Sequence, residues 1–402
     1  MVANVGVQRL RMVQVALAGY ALGVLVSVSL SRAAYWKDIQ QPYLAAAALR
    51  DGIDVFTPLN ELSVRYFPIA TQNLVHPSPY PPFVAGLALP LTLLPFRVVV
   101  PLWLVLNAAL LVVVGRWLGI SVPGTLALAA WPPLWYLLLI GQLELVILVL
   151  AMLGWRAARA GRDWAAGSWL GLAAAVKLYP LLLLAPFVSR RRGRVLLAAG
   201  AVLALGQVGN LLLVGTEGLV HYYRDVLPAV SARYVGLELN VAPYGALLRL
   251  FGDVRDATPM VHAPAIVLPL AALLSAAALL ALAWLEPEAG PPALVVALPA
   301  AWYWYPVLAL PAIAALLRSR LRRATIAALV PCSLVFPLVN WMLERLVINY
   351  PAWRGPPAQS LDAVLSAIQP AGLVALLFLT VALARADGVG LTGAAARPRL
   401  PP

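Results

Sequence analysis

The sequence predicts an all-α fold, a polytopic integral membrane helix bundle, and three observations carry that prediction. Hydrophobic residues make up 62% of the chain and charged residues 11%, whereas a soluble domain has roughly a quarter of its residues charged. Apolar runs of about 20 residues, each long enough to cross about 30 Å of hydrocarbon, recur along the whole length. The mean hydropathy is +0.87. These features describe one membrane domain over 1–402, with no stretch left for a second globular one. Cys332 is the single cysteine and sits in an apolar run, so neither a disulfide framework nor a zinc pattern is expected.

The positive charges order the spans, because cytoplasmic loops are enriched in Lys and Arg. Three clusters belong inside: Arg156, Arg159 and Arg162; Arg190, Arg191, Arg192 and Arg194; Arg318, Arg320, Arg322 and Arg323. Arg9 and Arg11 place the N-terminus on the same side, and the apolar run that follows reads as a retained first span. One path satisfies all of these. Span 12–30 exits, and 32–97 forms a first exoplasmic loop. Span 98–115 returns, 120–139 exits to Gly141-Gln142-Leu143-Glu144, and 143–155 returns to the first cluster. Residues 165–187 begin and end inside, which requires two short helices turning near Lys177-Leu-Tyr-Pro180, where proline breaks the helix.

Span 195–214 exits, 216–262 forms a second large exoplasmic loop, and 263–285 returns. Residues 291–317 make another short pair with its tip near Trp302-Tyr-Trp-Tyr-Pro306. Span 324–343 exits, 344–360 lies outside, and 361–384 returns. The result is about twelve crossings with both termini inside. Segment 80–96 is apolar but rich in proline. A full crossing there would throw the next two arginine clusters outside, so it reads as a helix lying at or dipping into the outer interface. On this path the inner face carries seventeen positive and four negative side chains, and the outer face twelve of each. The whole net charge of +13 therefore falls on one side. The high pI reports orientation in a membrane, not nucleic-acid binding.

The outer loops hold the candidate chemistry. The stretch from Arg32 to Tyr80 contains Lys37-Asp38, Arg50-Asp51-Gly52, Asp54, Glu61, Arg65 and His76-Pro-Ser-Pro-Tyr80. Ordering a long charged loop is costly, so such a loop more often carries function than mere connection. Ionisable groups at or within the hydrocarbon are expensive and usually functional. On this path Asp38, Gln142, Glu144, Lys177 and Tyr305 come from four segments onto the outer side. A site for a lipid-linked anionic substrate needs a groove open to the bilayer, a polar pocket and a cation for phosphate. Lys177, at a helix tip, supplies that cation. Plainer readings stand beside each residue: Asp38 as a solvated loop residue or helix cap, Glu144 as a helix cap, Lys177 as a snorkelling side chain. His76 and Tyr80 also suit interface anchors, and Trp302–Tyr305 an aromatic belt. No phosphate-cradling Gly-rich loop, no Asp-x-Asp pair in the first loop and no His/Cys set occurs, so neither metal nor other cofactor is expected.

At these residues the chain resembles a known family. Asp38, Tyr43 to Gly52, Tyr80-Pro-Pro-Phe83 and Pro90 to Pro95 look like the first loop of glycosyltransferase family 87. Gly141-Gln142-Leu-Glu144 is similar to its Gly-Gln-x-Asn segment, and Ala175-Val-Lys177-Leu-Tyr-Pro180 to its Ala-x-Lys-x-x-Pro element. Leu239-Asn240-Val-Ala-Pro-Tyr-Gly245, running on to Arg249, resembles its Asn-Gln-Ser loop. The motifs keep their order over residues 30–320. Two departures are visible: Val241-Ala242 replaces two polar side chains, and Trp304 precedes Tyr305 where relatives often carry His.

The resemblance implies a type C membrane glycosyltransferase that takes a sugar from a polyprenyl-phosphate donor on the outer face of a bacterial plasma membrane. Mannose, or arabinofuranose in an alternative reading, would pass to a hydroxyl of a glycolipid or cell-envelope glycan. It also implies Asp38 as the general base. A single displacement with one base inverts the anomeric centre. Lys177, with Arg65 and Arg224 in reserve, would meet the donor phosphate, and His76, Tyr80, Gln142, Glu144, Asn240 and Tyr305 would hold sugar and acceptor hydroxyls. A lipid or solute transporter, or a lipid-linked oligosaccharide ligase, is the competing class. Pro-interrupted helices also occur in transporters, but here the polar residues crowd one face.

Overall fold

The computed structural model of the protein describes residues 15–16, 19–20, 22–31, 35, 37–69, 74–237, 239–254, 259–333 and 356–387. The N-terminal arginines, the second half of the 324–343 span and most of the 344–360 loop lie outside them. The described residues are helical, apart from turns and an isolated antiparallel bridge between Asn240 and Trp302. The chain therefore is an all-α membrane protein, as its composition predicts. Helices Phe96–Trp117, Gly193–Tyr234, Pro264–Trp284 and Ala363–Ala386 are long and apolar enough to cross a bilayer.

The chain divides into two compact units. The first comprises Met1–Arg156, Ala165–Pro180 and Ala198–Tyr234. Its helices are α1 (22–30), α2 (Gln40–Arg50), α3 (Leu59–Tyr66), α4 (Pro82–Ala88), α5 (Phe96–Trp117), α6 (Val122–Leu128) and α7 (Pro132–Ile140). Most of α8 (Glu144–Arg159) and of α9 (Asp163–Val176) follows, and then α10 (Ala185–Ser189) lies in the second unit. The first unit resumes within α11 (Gly193–His221) and ends with α12 (Leu227–Tyr234). The second comprises Ala157–Trp164, Leu181–Leu197 and Val235–Pro402. It adds α13 (Pro243–Phe251), α14 (Pro264–Trp284), α15 (Pro291–Ala297), α16 (Leu310–Arg318), α17 (322–333) and α18 (Pro356–Ala386).

In the first unit, α2 is buried all the way from Gln40 to Ala48. Its Ala45–Ala48 run is small enough to let neighbours approach from every side, as a helix without a polar face must. Ile39, Tyr43 and Leu44 pack with Leu59, Leu62, Val99 and Val100. An aromatic nest closes this core: the Tyr35, Tyr43, Phe67 and Phe96 rings lie 4.7–6.1 Å apart. Segment 82–93 forms α4 and a 3₁₀ turn. Its 12 residues span about 20 Å as α and 3₁₀ helix, short of the roughly 30 Å of hydrocarbon. The buried Asn210 of α11 accepts the Phe83 N–H at 2.8 Å and so caps α4 in place of a local side chain.

The span read over 120–139 carries a break. It is two helices, α6 and α7, bent by 77°. The cause is Trp131-Pro132-Pro133: Pro132 starts α7, and Trp131 adopts φ −68°, ψ 120°, outside the helical region that a residue before proline avoids. Gly115 of α5 lies against Thr125 of α6; a Cβ there would meet Thr125 Oγ1 at 2.0 Å. Gly115→Ala is expected to cost about 1–3 kcal/mol through overpacking, read as a lowered thermal midpoint in detergent.

The second unit is built around Arg249 and Asn240. Arg249 is buried and donates to Ser366 Oγ at 2.7 Å, to the Leu237 carbonyl at 2.5 Å and to the Asn240 carbonyl at 3.0 Å. The Asn240 amide donates to the carbonyls of Val235 at 2.7 Å and Pro299 at 3.2 Å. Its oxygen accepts from Ala242 N at 3.0 Å and Ala301 N at 2.9 Å. Ion pairs Arg159–Glu288 (2.7 Å), Arg190–Glu286 (3.3 Å) and Arg192–Asp163 lie in the same unit.

Candidate functional site

The site is assembled at the end of α7. A helix leaves its last carbonyls without intrahelical partners, and here each of three is taken by another segment. The Lys37 ammonium donates to Leu139, the Asp38 N–H to Ile140 at 2.6 Å, and the Trp103 indole to Gly141 at 3.0 Å. The start of the first loop is therefore pinned to α7 by backbone chemistry. Gly141 then turns the chain in the left-handed region, at φ +73°, and a Cβ on it would meet Ile39 at 3.3 Å. That turn delivers Gln142 and Glu144 directly against Asp38 and Lys177.

Four segments of the first unit meet there. The Gln142 amide nitrogen donates to Asp38 Oδ2 at 2.5 Å. Gln142 Oε1 accepts from Lys177 Nζ at 3.2 Å and from the Tyr80 hydroxyl at 3.4 Å. This amide orientation alone gives donors to the oxygen and an acceptor to the nitrogen. Lys177 Nζ also pairs with Glu144 Oε1 at 2.5 Å and lies 5.3 Å from the Tyr80 ring centroid, a cation–π distance. Glu144 is fully buried at the first residue of α8, where a negative charge meets the positive end of the helix dipole. Its Oε2 has no hydrogen-bond partner among the described residues. Gln142 and Tyr80 are buried, and Asp38 is part-exposed.

Burial raises Asp38 to about 6; hydrogen bonds from Gln142 and Gln41 and the charge of Lys177 oppose the shift, and Glu144 adds to it. Burial lowers Lys37 to about 8. A carboxyl tuned toward neutrality and held by an amide on one oxygen has the properties of a general base: it is ionised at neutral pH and basic enough to draw off a hydroxyl proton.

The other sequence candidates fall elsewhere. His76 is buried, with Nδ1 2.7 Å from the Pro77 carbonyl and its ring edge-on to Tyr234 at 5.3 Å; burial holds it below the ordinary imidazole range. Arg65 is exposed and lies over the Tyr66 ring. Arg224 is exposed and paired with Asp225 at 3.0 Å. Neither joins the Asp38 cluster by a hydrogen bond or ion pair. Asn240 and Tyr305 belong to the second unit. Asn240 spends its amide on four backbone groups, the arrangement of a structural clamp and not of a sugar ligand. Asn240→Ala is expected to cost about 2–4 kcal/mol by orphaning those groups, seen as a lowered thermal midpoint with the donor KM unchanged. Tyr305 is buried beside the Trp302–Trp304 stack, whose rings lie 5.5 Å apart. Sequence reasoning missed Gln41, which reaches Asp38 from the first turn of α2. The spacing of three residues was the available signal.

A model of glycosyltransferase family 87 matches residues 79–298. That range contains Tyr80, Gln142, Glu144 and Lys177; Asp38 precedes it. Among curated proteins, the chain is 32% identical over 228 residues to a polyprenol-phosphate-mannose-dependent alpha-(1-2)-phosphatidylinositol pentamannoside mannosyltransferase of Mycobacterium tuberculosis (strain CDC 1551 / Oshkosh), covering 53% of this chain and 50% of that protein. It is 31% identical over 201 residues to the protein of the same description from Mycolicibacterium smegmatis, covering 48% of each. The chain spans about half the length of the curated relatives it matches. No solved structure matches it significantly. With the family match extending over more than half of its residues, the chain belongs to glycosyltransferase family 87.

Proposed function

We propose that the protein transfers a sugar, mannose, from a polyprenyl-phosphate donor to a hydroxyl of a lipid-linked or cell-envelope glycan, with inversion and with Asp38 as the general base. The observation that carries this reading is the Asp38–Gln142–Lys177–Glu144 cluster: a near-neutral carboxyl and a cation meet on a polar turn. The polyprenol-phosphate-mannose dependence in the relatives' names supports the donor.

The acceptor oxygen attacks the anomeric carbon as the bond from that carbon to the phosphate oxygen breaks. The acceptor proton passes to the Asp38 carboxylate, and the electron pair of the broken bond leaves with the polyprenyl phosphate. Lys177 provides positive charge for the phosphate as charge builds on it. Tyr80 holds sugar or acceptor hydroxyls beside it.

The charge ledger supports an outward-facing site with both termini inside a bacterial plasma membrane. The pairs Arg159–Glu288, Arg190–Glu286 and Arg192–Asp163 join residues assigned to one face, and Arg50–Asp51, Lys177–Glu144 and Arg224–Asp225 residues assigned to the other. Bilayer lipids are its surroundings and the route by which the donor arrives.

Purified protein incubated with radiolabelled polyprenyl-phosphate mannose and a mannolipid acceptor tests the reading. Label in the acceptor, dependent on Asp38, is the expected result. Transfer from the arabinofuranosyl donor alone would change the sugar. Movement of lipid across liposomes with no labelled product would make the protein a transporter and end the enzymatic reading.

A further inference from the structure

We propose that Gln142 is the positioning residue of this site: clamped by Lys177 and Tyr80 on its oxygen, it presents its amide N–H to Asp38 Oδ2 and so holds the carboxylate in its working orientation. This inference rests on the functional reading above and deepens it.

Three features carry it. The contact is short, at 2.5 Å, and joins residues 104 positions apart. Gln142 is buried and its amide cannot turn over, because a flip would set its nitrogen against the Lys177 ammonium and its oxygen against the Asp38 carboxyl. Lys177 is itself held by Glu144 at 2.5 Å, so the clamp extends to a fully buried anchor. Glu144 and Lys177 therefore act on the base through Gln142 as well as through their charges.

An N–H that lies on a carboxylate oxygen favours the ionised form. The groups around Asp38 are Lys37 on its own segment, Gln41 on α2, Tyr80 on the proline-rich segment, Gln142 and Glu144 on the α7–α8 turn, Lys177 beyond α9, and Tyr234 on α12. Lys37 is committed to the Leu139 carbonyl. Among these, Gln142 is the largest single influence that keeps the carboxyl ionised against its burial. Its loss should move the working range of the base, not only its efficiency.

The test is the pH profile of kcat for full-length Gln142→Met protein in detergent or nanodiscs. The acid limb is expected to move up by about one unit. Transfer at pH 6 should fall about 5–10-fold, with about 3-fold or less lost at pH 8 and the donor KM within about 2-fold. A residue of purely structural importance would lower the whole profile without moving the limb, and that result overturns the proposal. Gln142→Glu, of the same shape, serves if the methionine variant does not fold. It sets a second carboxyl against Asp38, and the limb should then move further in the same direction.

A readout without substrate is the infrared titration of the Asp38 carboxyl, assigned by subtraction of Asp38→Asn; it should move with the limb, and an unmoved titration also overturns the proposal. Retained transfer in Asp38→Asn would end the assignment of Asp38 as the base, on which this inference rests. Lost transfer in Asp38→Asn with an unmoved limb in the Gln142 variants ends this inference alone.

Discussion

Asp38→Asn should lower sugar transfer by about 10²–10⁴-fold, the usual loss when a general base is removed. Asparagine keeps the shape of the residue. Its carbonyl still accepts from Gln142, and the backbone N–H that reaches the Ile140 carbonyl is untouched, so the site should stay assembled while losing its proton acceptor. The unaltered protein should show an acid limb near pH 6, because burial holds the carboxyl protonated below that value and a protonated carboxyl accepts nothing. The stability effect has the opposite sense. A carboxyl raised in the folded state binds its proton more tightly there than in the unfolded chain. Its contribution to folding is thus present at low pH and lost as pH rises from about 4, the ordinary value, through about 6. Asp38→Asn should therefore melt at a higher temperature than the unaltered protein at pH 8 and at a similar one at pH 4. A variant that is inactive and also unfolds early at pH 8 would contradict this account of the residue.

Lys177→Met should be damaging in a second way, through the fold itself. Glu144 is fully buried, one of its oxygens has no hydrogen-bond partner among the described residues, and the other rests on Lys177. Removing one member of a buried ion pair leaves an uncompensated charge, at a cost of about 3–5 kcal/mol. Glu144→Gln combined with Lys177→Met removes both charges and should recover most of that stability, so the two changes should be strongly non-additive in a double-mutant cycle. Transfer should stay low in the double variant, because the cation proposed to meet the donor phosphate is gone. Thermal unfolding of the four proteins, with transfer assayed in parallel, separates these roles. Additive losses of stability would show that the two side chains do not depend on each other.

Much of the site was legible in the order of the residues. Asp38, Gln142, Glu144 and Lys177 stood out because each places a polar group beside an apolar run, and the structure brings these four together with Tyr80. The turn at Lys177 was readable from Pro180: α9 ends at Val176, and a 3₁₀ turn begins at Tyr179. What stayed hidden followed from two physical ambiguities. Hydropathy is blind to direction, so the apolar run from 120 to 139 read as one span with no sign of the bend before Pro132. An asparagine in a loop offers the same amide to a sugar or to a backbone, and nothing in Asn240-Val-Ala predicted that Val235, Ala242, Pro299 and Ala301 would consume it. Lys37 was likewise read as a charged neighbour of Asp38. Its ammonium is instead a strut that satisfies the end of α7.

The cluster holds two carboxyls and one ammonium joined through Gln142, and on the proposed mechanism that imbalance bears on every cycle. Before transfer the trio bears one surplus negative charge. Once Asp38 has captured the acceptor proton, the trio is electrically neutral and the base is spent. Meanwhile the departing lipid has changed from a phosphodiester to a monoester, which can itself bind a proton. On the proposed mechanism Asp38 must give up that proton, to water or to the spent lipid, before the next transfer.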